Sequence, residues 1–162
     1  MISSLAHINP QARLGEGVVV EPFAVIHGDV IIGDGTWIGS GAVIYDGSRI
    51  GKNCRIFNGA SISAIPQDLK FSGEETTLEI GDNTTVREFA TLNRGTRARG
   101  RTTIGKNCLL MAYVHVAHDC QLGNNVIMVA LSGIAGEVEL GDWVTMGGGS
   151  MVHQFVHIGA HT

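Results

Sequence analysis

The chain has 162 residues, 44% hydrophobic and only 16% charged, so it can bury a core and is not a disordered segment. Its net charge of −4 argues against a nucleic-acid coat, and no apolar run reaches the roughly 18 residues that a membrane span needs. Glycine is abundant at 23 residues and aromatics are scarce at 6%, which points to tight, repeated corners around a narrow interior.

In chain order, the first feature is a six-residue repeat that begins at Ile2. Stepping by six gives Ile2, Ile8, Leu14, Val20, Ile26, Ile32, Ile38, Ile44, Ile50, Ile56 and Ile62, all aliphatic. The fifth residue of each repeat is mostly small or apolar, as at Ala12, Ala24, Ala42, Cys54 and Ala60. Neither a helical period nor simple strand alternation gives this rhythm. It predicts short strands along flat faces, with the lead aliphatic and the small fifth residue inward and Gly, Asn or Asp at the corners. Three faces per turn close a triangular prism, each turn pairing with the next through parallel ladders roughly 4.8 Å apart.

The rhythm breaks between residues 64 and 78, where Ile65-Pro66-Gln67-Asp68-Leu69-Lys70-Phe71 begins a loop ejected from one corner. An extended backbone there would turn Asp68 and Lys70 one way and Leu69 and Phe71 the other. The repeat resumes at Ile80, Val86 and Leu92, then breaks again over 97–103. Arg94, Arg97, Arg99 and Arg101 cluster at that second loop, as a phosphate or acidic-protein contact or as a solvated turn. The last run is Ile104, Leu110, Val116, Leu122, Met128, Ile134, Leu140, Met146, Val152 and Ile158. The 24 repeats make eight turns of one domain spanning residues 1–162. Thr162 falls inside a repeat with no capping element, so a further C-terminal portion is expected beyond it.

Cys54, Cys108 and Cys120 occupy fifth positions and are expected to be buried small hydrophobes. They lack ligand-like spacing, and no charged-then-apolar leader opens the chain, so a reducing cytoplasm is expected. None of the seven histidines falls at an inward position. His118, Gly136 and Gln154 are eighteen residues apart, which is one full turn of a three-faced coil, so they should stack on one edge. His118 there offers a general base, Asp119 beside it an orienting acid, and the Gly136 N–H an oxyanion donor. Glu137, eighteen residues past Asp119, is a further supporting candidate. This set suits acyl transfer to a hydroxyl or amine by direct attack, since no Ser or Cys nucleophile is evident. The alternative for His115, His118 and His153 is a zinc site of the carbonic anhydrase kind found on such repeats.

The motifs Ile65 to Phe71, Asn93-Arg94-Gly95-Thr96, His115-Val116-Ala117-His118-Asp119-Cys120 and His153-Gln154-Phe155 occur in that order on hexapeptide repeats. From Ile2 to the last residue, the chain closely resembles the bacterial UDP-N-acetylglucosamine O-acyltransferases of lipid A synthesis. The resemblance implies an all-β, left-handed parallel β-helix, an exception to right-handed crossovers. It also implies a homotrimer with sites between subunits. The implied reaction is transfer of an (R)-3-hydroxyacyl chain from the phosphopantetheine of acyl carrier protein to the 3-position of UDP-N-acetylglucosamine, with no cofactor or metal. By motif, His118 matches the base and Gly136 the oxyanion glycine. Gln67, Asp68 and Lys70 match the substrate-binding loop, and His115, His153 and Gln154 the lining of the sugar-nucleotide and acyl sites. Glu137 stands where many relatives carry histidine, and Ala130-Leu131 where asparagines are common. The family's C-terminal helical part lies outside these 162 residues. Alternatives are an N-acyltransferase of the same pathway and an inactive scaffold fragment.

Overall fold

Each lead aliphatic of the repeat marks one rung of the fold. The computed structural model describes residues 1–162. It contains 23 short strands, each holding one lead aliphatic, while Ile2 forms an isolated bridge to Val20. All pairings are parallel, and every strand pairs with the third strand along, giving three sheets of 8, 8 and 7 strands. The result is the expected left-handed β-helix with a triangular section. No helix is long and apolar enough to cross a membrane.

The bore is filled by the inward columns. Ile26, Ile38, Ile44, Ile56, Leu92 and Val116 are fully buried, and so are the fifth-position residues Ala24, Ala42, Cys54, Ala60 and Cys120. Burial, with the Asp119 carboxylate nearby, pushes the Cys120 thiol up to about 12, so it is a packing group and not a nucleophile. Leads in the first and last coils, such as Ile8 and Val152, are only partly covered and pack against the edge of this core.

Corners require a residue of left-handed φ, and one corner supplies it with a column of Asn53, Asn83, Asn107 and Asn125. Asparagine enters this region more readily than other side-chain-bearing residues. Next to this column, carboxylates accept the corner amides of the coil before. Asp34 Oδ1 accepts from the Glu16 N–H at 2.9 Å and Asp82 Oδ1 from the Lys52 N–H at 2.8 Å. Few corner amides of that edge are thereby left without a partner.

Both ejected loops leave a different corner, the one that follows strands Ser61–Ala64 and Thr91–Asn93. The first, at 65–76, is shorter than the expected 64–78, and the second, at 94–100, lies three residues earlier than the expected 97–103. Strands Thr77–Ile80 and Arg101–Ile104 reach into those ranges, pairing Thr77 with Arg101 and Leu78 with Thr102. The physical reason is that the two loops lie side by side. Their bases continue the parallel ladder, and Leu78 is fully buried beneath it.

Candidate active site

The strand register places the expected edge. His115 pairs with Gly133 and Gly133 with Met151; Val116 pairs with Ile134 and Ile134 with Val152. His118, Gly136 and Gln154 each follow two residues after one of those rungs, so they stack on the corner that carries the loops. Arg94 takes the same place one coil below, through the pairing of Leu92 with Val116.

His118 lies outside the bore, yet it is only 8% exposed because the loops close over it. Its Nδ1 is 2.8 Å from Asp119 Oδ2. Asp119 has a left-handed φ of 61° and is fully buried. Its carboxylate accepts from the Thr96 N–H at 3.0 Å, the Thr96 hydroxyl at 2.5 Å and the Arg99 N–H at 3.2 Å. The Asp119 N–H donates in turn to Thr102 Oγ1 at 2.8 Å. With Nδ1–H committed to Asp119, the free lone pair of His118 is on Nε2. Nε2 faces Asp68 Oδ2 at 3.8 Å, close enough for both groups to reach one substrate hydroxyl.

Gly136 lies directly under this ring. A Cβ at 136 would stand 2.6 Å from His118 Cε1 and 2.7 Å from Nε2, so the ring keeps this position only over glycine. Its N–H has no hydrogen-bond partner within the chain, whereas the Gly136 carbonyl accepts from Phe155 and the Glu137 N–H donates to His118.

Two cavities meet at His118. One, of about 290 Å³, is charged and is lined by Asp68, Lys70, Glu74, Arg97 and Glu137. The other, of about 250 Å³, is largely apolar, with Ala117, Ile134, Met151 and Val152 beside Gln67, His115, Gly136 and Gln154. His115 Nδ1 is 2.7 Å from Thr91 Oγ1, and burial pushes its pKa below the ordinary imidazole value. His153 is exposed and borders neither cavity.

The loop at 65–76 departs from the extended course. Asp68 opens a turn, with the Phe71 N–H donating to its carbonyl at 3.0 Å and the Lys70 N–H to its Oδ1 at 2.9 Å. Asp68 and Lys70 still share the charged cavity, but Leu69 is fully exposed and Phe71 lies 5.7 Å from the Arg94 guanidinium. Of the four arginines, only Arg97 lines that cavity; Arg99 pairs with Glu139 at 2.6 Å and Arg101 approaches Glu79 at 3.7 Å. Glu74 ties the two loops together by accepting from the Arg97 N–H. Hydrogen bonds, chiefly from the Ser72 N–H, lower its pKa to about 2. The zinc arrangement is not formed, since no three His, Cys, Asp or Glu side chains converge on a metal position.

Thr96, Arg97 and Glu74 carry structural weight that their residue types do not advertise. Their roles depend on loops meeting across more than twenty residues of sequence.

Fold and site together define a hexapeptide-repeat transferase. Residues 29–64 and 101–136 match the bacterial transferase hexapeptide (six repeats) family. Over 162 residues the chain is 47% identical to the acyl-[acyl-carrier-protein]--UDP-N-acetylglucosamine O-acyltransferase of Herminiimonas arsenicoxydans, covering 99% of this chain and 62% of that protein. It is 49% identical, with the same coverage, to the protein of that description from Janthinobacterium sp. (strain Marseille). The solved UDP-N-acetylglucosamine acyltransferase of Campylobacter jejuni superposes with a TM-score of 0.94 at 44% identity, covering 98% of this chain and 62% of that one. That of Francisella novicida gives 0.95 at 39% identity, covering 97% and 58%. Over nearly its whole length the chain is thus similar to UDP-N-acetylglucosamine O-acyltransferases, and it spans 62% of the length of these curated relatives.

Proposed function

We propose that this chain carries the acyl-transfer site for moving an (R)-3-hydroxyacyl chain from acyl carrier protein to the 3-hydroxyl of UDP-N-acetylglucosamine, the first step of lipid A synthesis in the cytoplasm. The observation that supports it most is the placing of His118. Its Nδ1 is held by buried Asp119, its Nε2 is free, and Gly136, whose N–H is unpartnered, lies beneath the ring. A charged cavity on one side suits a sugar diphosphate, with Lys70 and Arg97 as its cations. An apolar cavity on the other suits an acyl chain.

His118 Nε2 takes the proton from the sugar hydroxyl as its oxygen attacks the thioester carbonyl, forming the new C–O bond. The Gly136 N–H donates to the oxyanion. On collapse the C–S bond breaks, and the imidazolium returns its proton to the departing pantetheine thiolate. Asp119 stabilises the imidazolium between these steps. Asp68 and Lys70 orient the sugar nucleotide, while Gln67, His115 and Gln154 line the acyl side; His153 contributes through a neighbouring subunit. The homotrimer draws support from an exposed apolar ridge, where Phe89 and Tyr113 stack at 5.4 Å and Leu131 follows. A second copy along that edge would enclose a site that is open on a single chain.

The test is mass-resolved transfer with UDP-N-acetylglucosamine and (R)-3-hydroxyacyl carrier protein. The expected product gains one acyl chain as an alkali-labile ester. Acylation solely of an amino sugar, or of neither acceptor, overturns the assignment.

A further inference from the structure

Arg99 and Glu139 form an ion pair that the steps above do not use. Arg99 Nη2 donates to Glu139 Oε1 at 2.6 Å, across 40 residues of sequence. His157 Nδ1 stands 3.2 Å from the other oxygen of Glu139. The paired side chains are 24% and 34% exposed, and neither lines a cavity at His118. Strand register shows how far the pair reaches. Thr103 pairs with Gln121 and Gln121 with Glu139, so Glu139 lies two coils along from the strand that follows the second loop. The Arg99 side chain therefore crosses the coil that carries His118 and Asp119.

What it holds is the tip of that loop. Residues 96–100 form one tight turn, with the Gly100 N–H donating to the Thr96 carbonyl at 2.7 Å and the Ala98 N–H to Thr96 Oγ1 at 3.2 Å. This turn gives the Asp119 carboxylate three donors. Two come from Thr96; the third, the Arg99 N–H, stands at 3.2 Å, the long end of the range for such a bond. A small lift of the turn would break it. Side chains pin the turn on two sides. Arg97 Nη2 donates to Ser72 Oγ of the first loop at 3.3 Å, and Arg99 reaches Glu139 on the sheet that the second loop runs into. Partly exposed ion pairs add little to global stability, so the effect of this one is geometric. A reacting group needs support that holds it within about 0.5 Å. Asp119 fixes the His118 ring at 2.8 Å, and the turn fixes Asp119.

We infer that Arg99 and Glu139 are positioning residues: their ion pair clamps the turn at 96–100 onto Asp119 and so holds His118 in its reactive orientation. The inference rests on the acyl-transfer function proposed above.

The test is a double-mutant cycle of Arg99→Ala, Glu139→Ala and the two together, with Arg99→Lys beside them. Glu139 faces outward between the bore residues Val138 and Leu140, so its loss leaves the core intact. Each single variant should lower kcat about tenfold, with KM for both substrates within about twofold. Melting should stay within about 4 °C of wild type. The double variant should be within about twofold of the singles, because all three lose the same tie. Only one nitrogen of Arg99 meets Glu139, so Arg99→Lys should recover to within about threefold of the wild-type kcat. Imidazole nitrogen NMR reads the clamp without turnover. The His118 Nδ1–H signal, assigned by its loss in His118→Ala, should be sharp in the wild type and broadened in Glu139→Ala. Wild-type kcat in a folded Glu139→Ala protein overturns the inference. So do losses that multiply in the double variant, a raised KM for the carrier thioester at unchanged kcat, and an equally sharp signal in Glu139→Ala. The NMR response without any transfer sinks the transferase assignment alone. Transfer that is indifferent to Glu139 sinks the clamp alone.

Discussion

Replacing Gly136 by alanine should disable the site while leaving the coil standing. The new Cβ would lie 2.6 Å from His118 Cε1 and 2.7 Å from Nε2, where carbon contacts are favourable only from about 3.5 Å. The ring therefore has to move by about 1 Å. It cannot swing away freely, because Nδ1 is tied at 2.8 Å to Asp119, which is itself held by Thr96 and Arg99. The backbone at 136 tolerates alanine, as its φ lies outside the left-handed region. Glycine-to-alanine exchange at such a site gains about 0.4–1 kcal/mol through the unfolded chain, against about 1–3 kcal/mol for overpacking. The net loss is then at most about 2.6 kcal/mol, or roughly 10 °C of melting temperature at the upper end. A displacement of about 1 Å at a reacting group costs about a hundredfold in rate. Steady-state transfer at saturating substrates, beside a thermal melt, reads both quantities. A folded Gly136→Ala protein with kcat within threefold of wild type would refute the claim that the ring position governs the reaction.

Asp119→Asn places an amide NH₂ among donors from Thr96, Arg99 and His118, so it should lower kcat by about 10²–10⁴ and also lower the melting temperature. A normal rate would remove Asp119 from the mechanism. Asp68→Ala should reduce kcat/KM for UDP-N-acetylglucosamine by about ten- to a hundredfold, because a charge-assisted contact is lost. Its melting should change little, since only a turn bond to the Lys70 N–H is removed; unchanged kcat/KM would make the loop a mere insertion. His115 has a pKa depressed below its ordinary 6.5 by burial, so the unfolded chain takes up the proton first as pH falls. Its contribution to stability is present above about pH 6.5 and drains away below it. Melting curves from neutral pH downwards should fall more steeply for wild type than for His115→Gln, and parallel curves would contradict this.

Much of the fold can be read in the chain because the inward columns are local and periodic. A lead aliphatic every six residues forces one strand per repeat, and eighteen-residue spacing forces His118, Gly136 and Gln154 onto one edge. The closing of the site is less legible because it depends on two loops meeting. Thr96 reaches Asp119 across 23 residues, and nothing in the pattern around Thr96 signals that contact. Asp68 to Phe71 carries no alternation strong enough to tell a turn from an extended run, and the Lys70 amide bond to Asp68 decides it.

The most direct measurement of the central claim is transfer by His118→Ala beside wild type, with product identified by mass. General-base removal predicts a loss of about 10²–10⁴ in kcat with an intact melting transition. A folded His118→Ala protein that keeps more than about half of the wild-type kcat, a loss of well under 1 kcal/mol in transition-state stabilisation, would contradict the account.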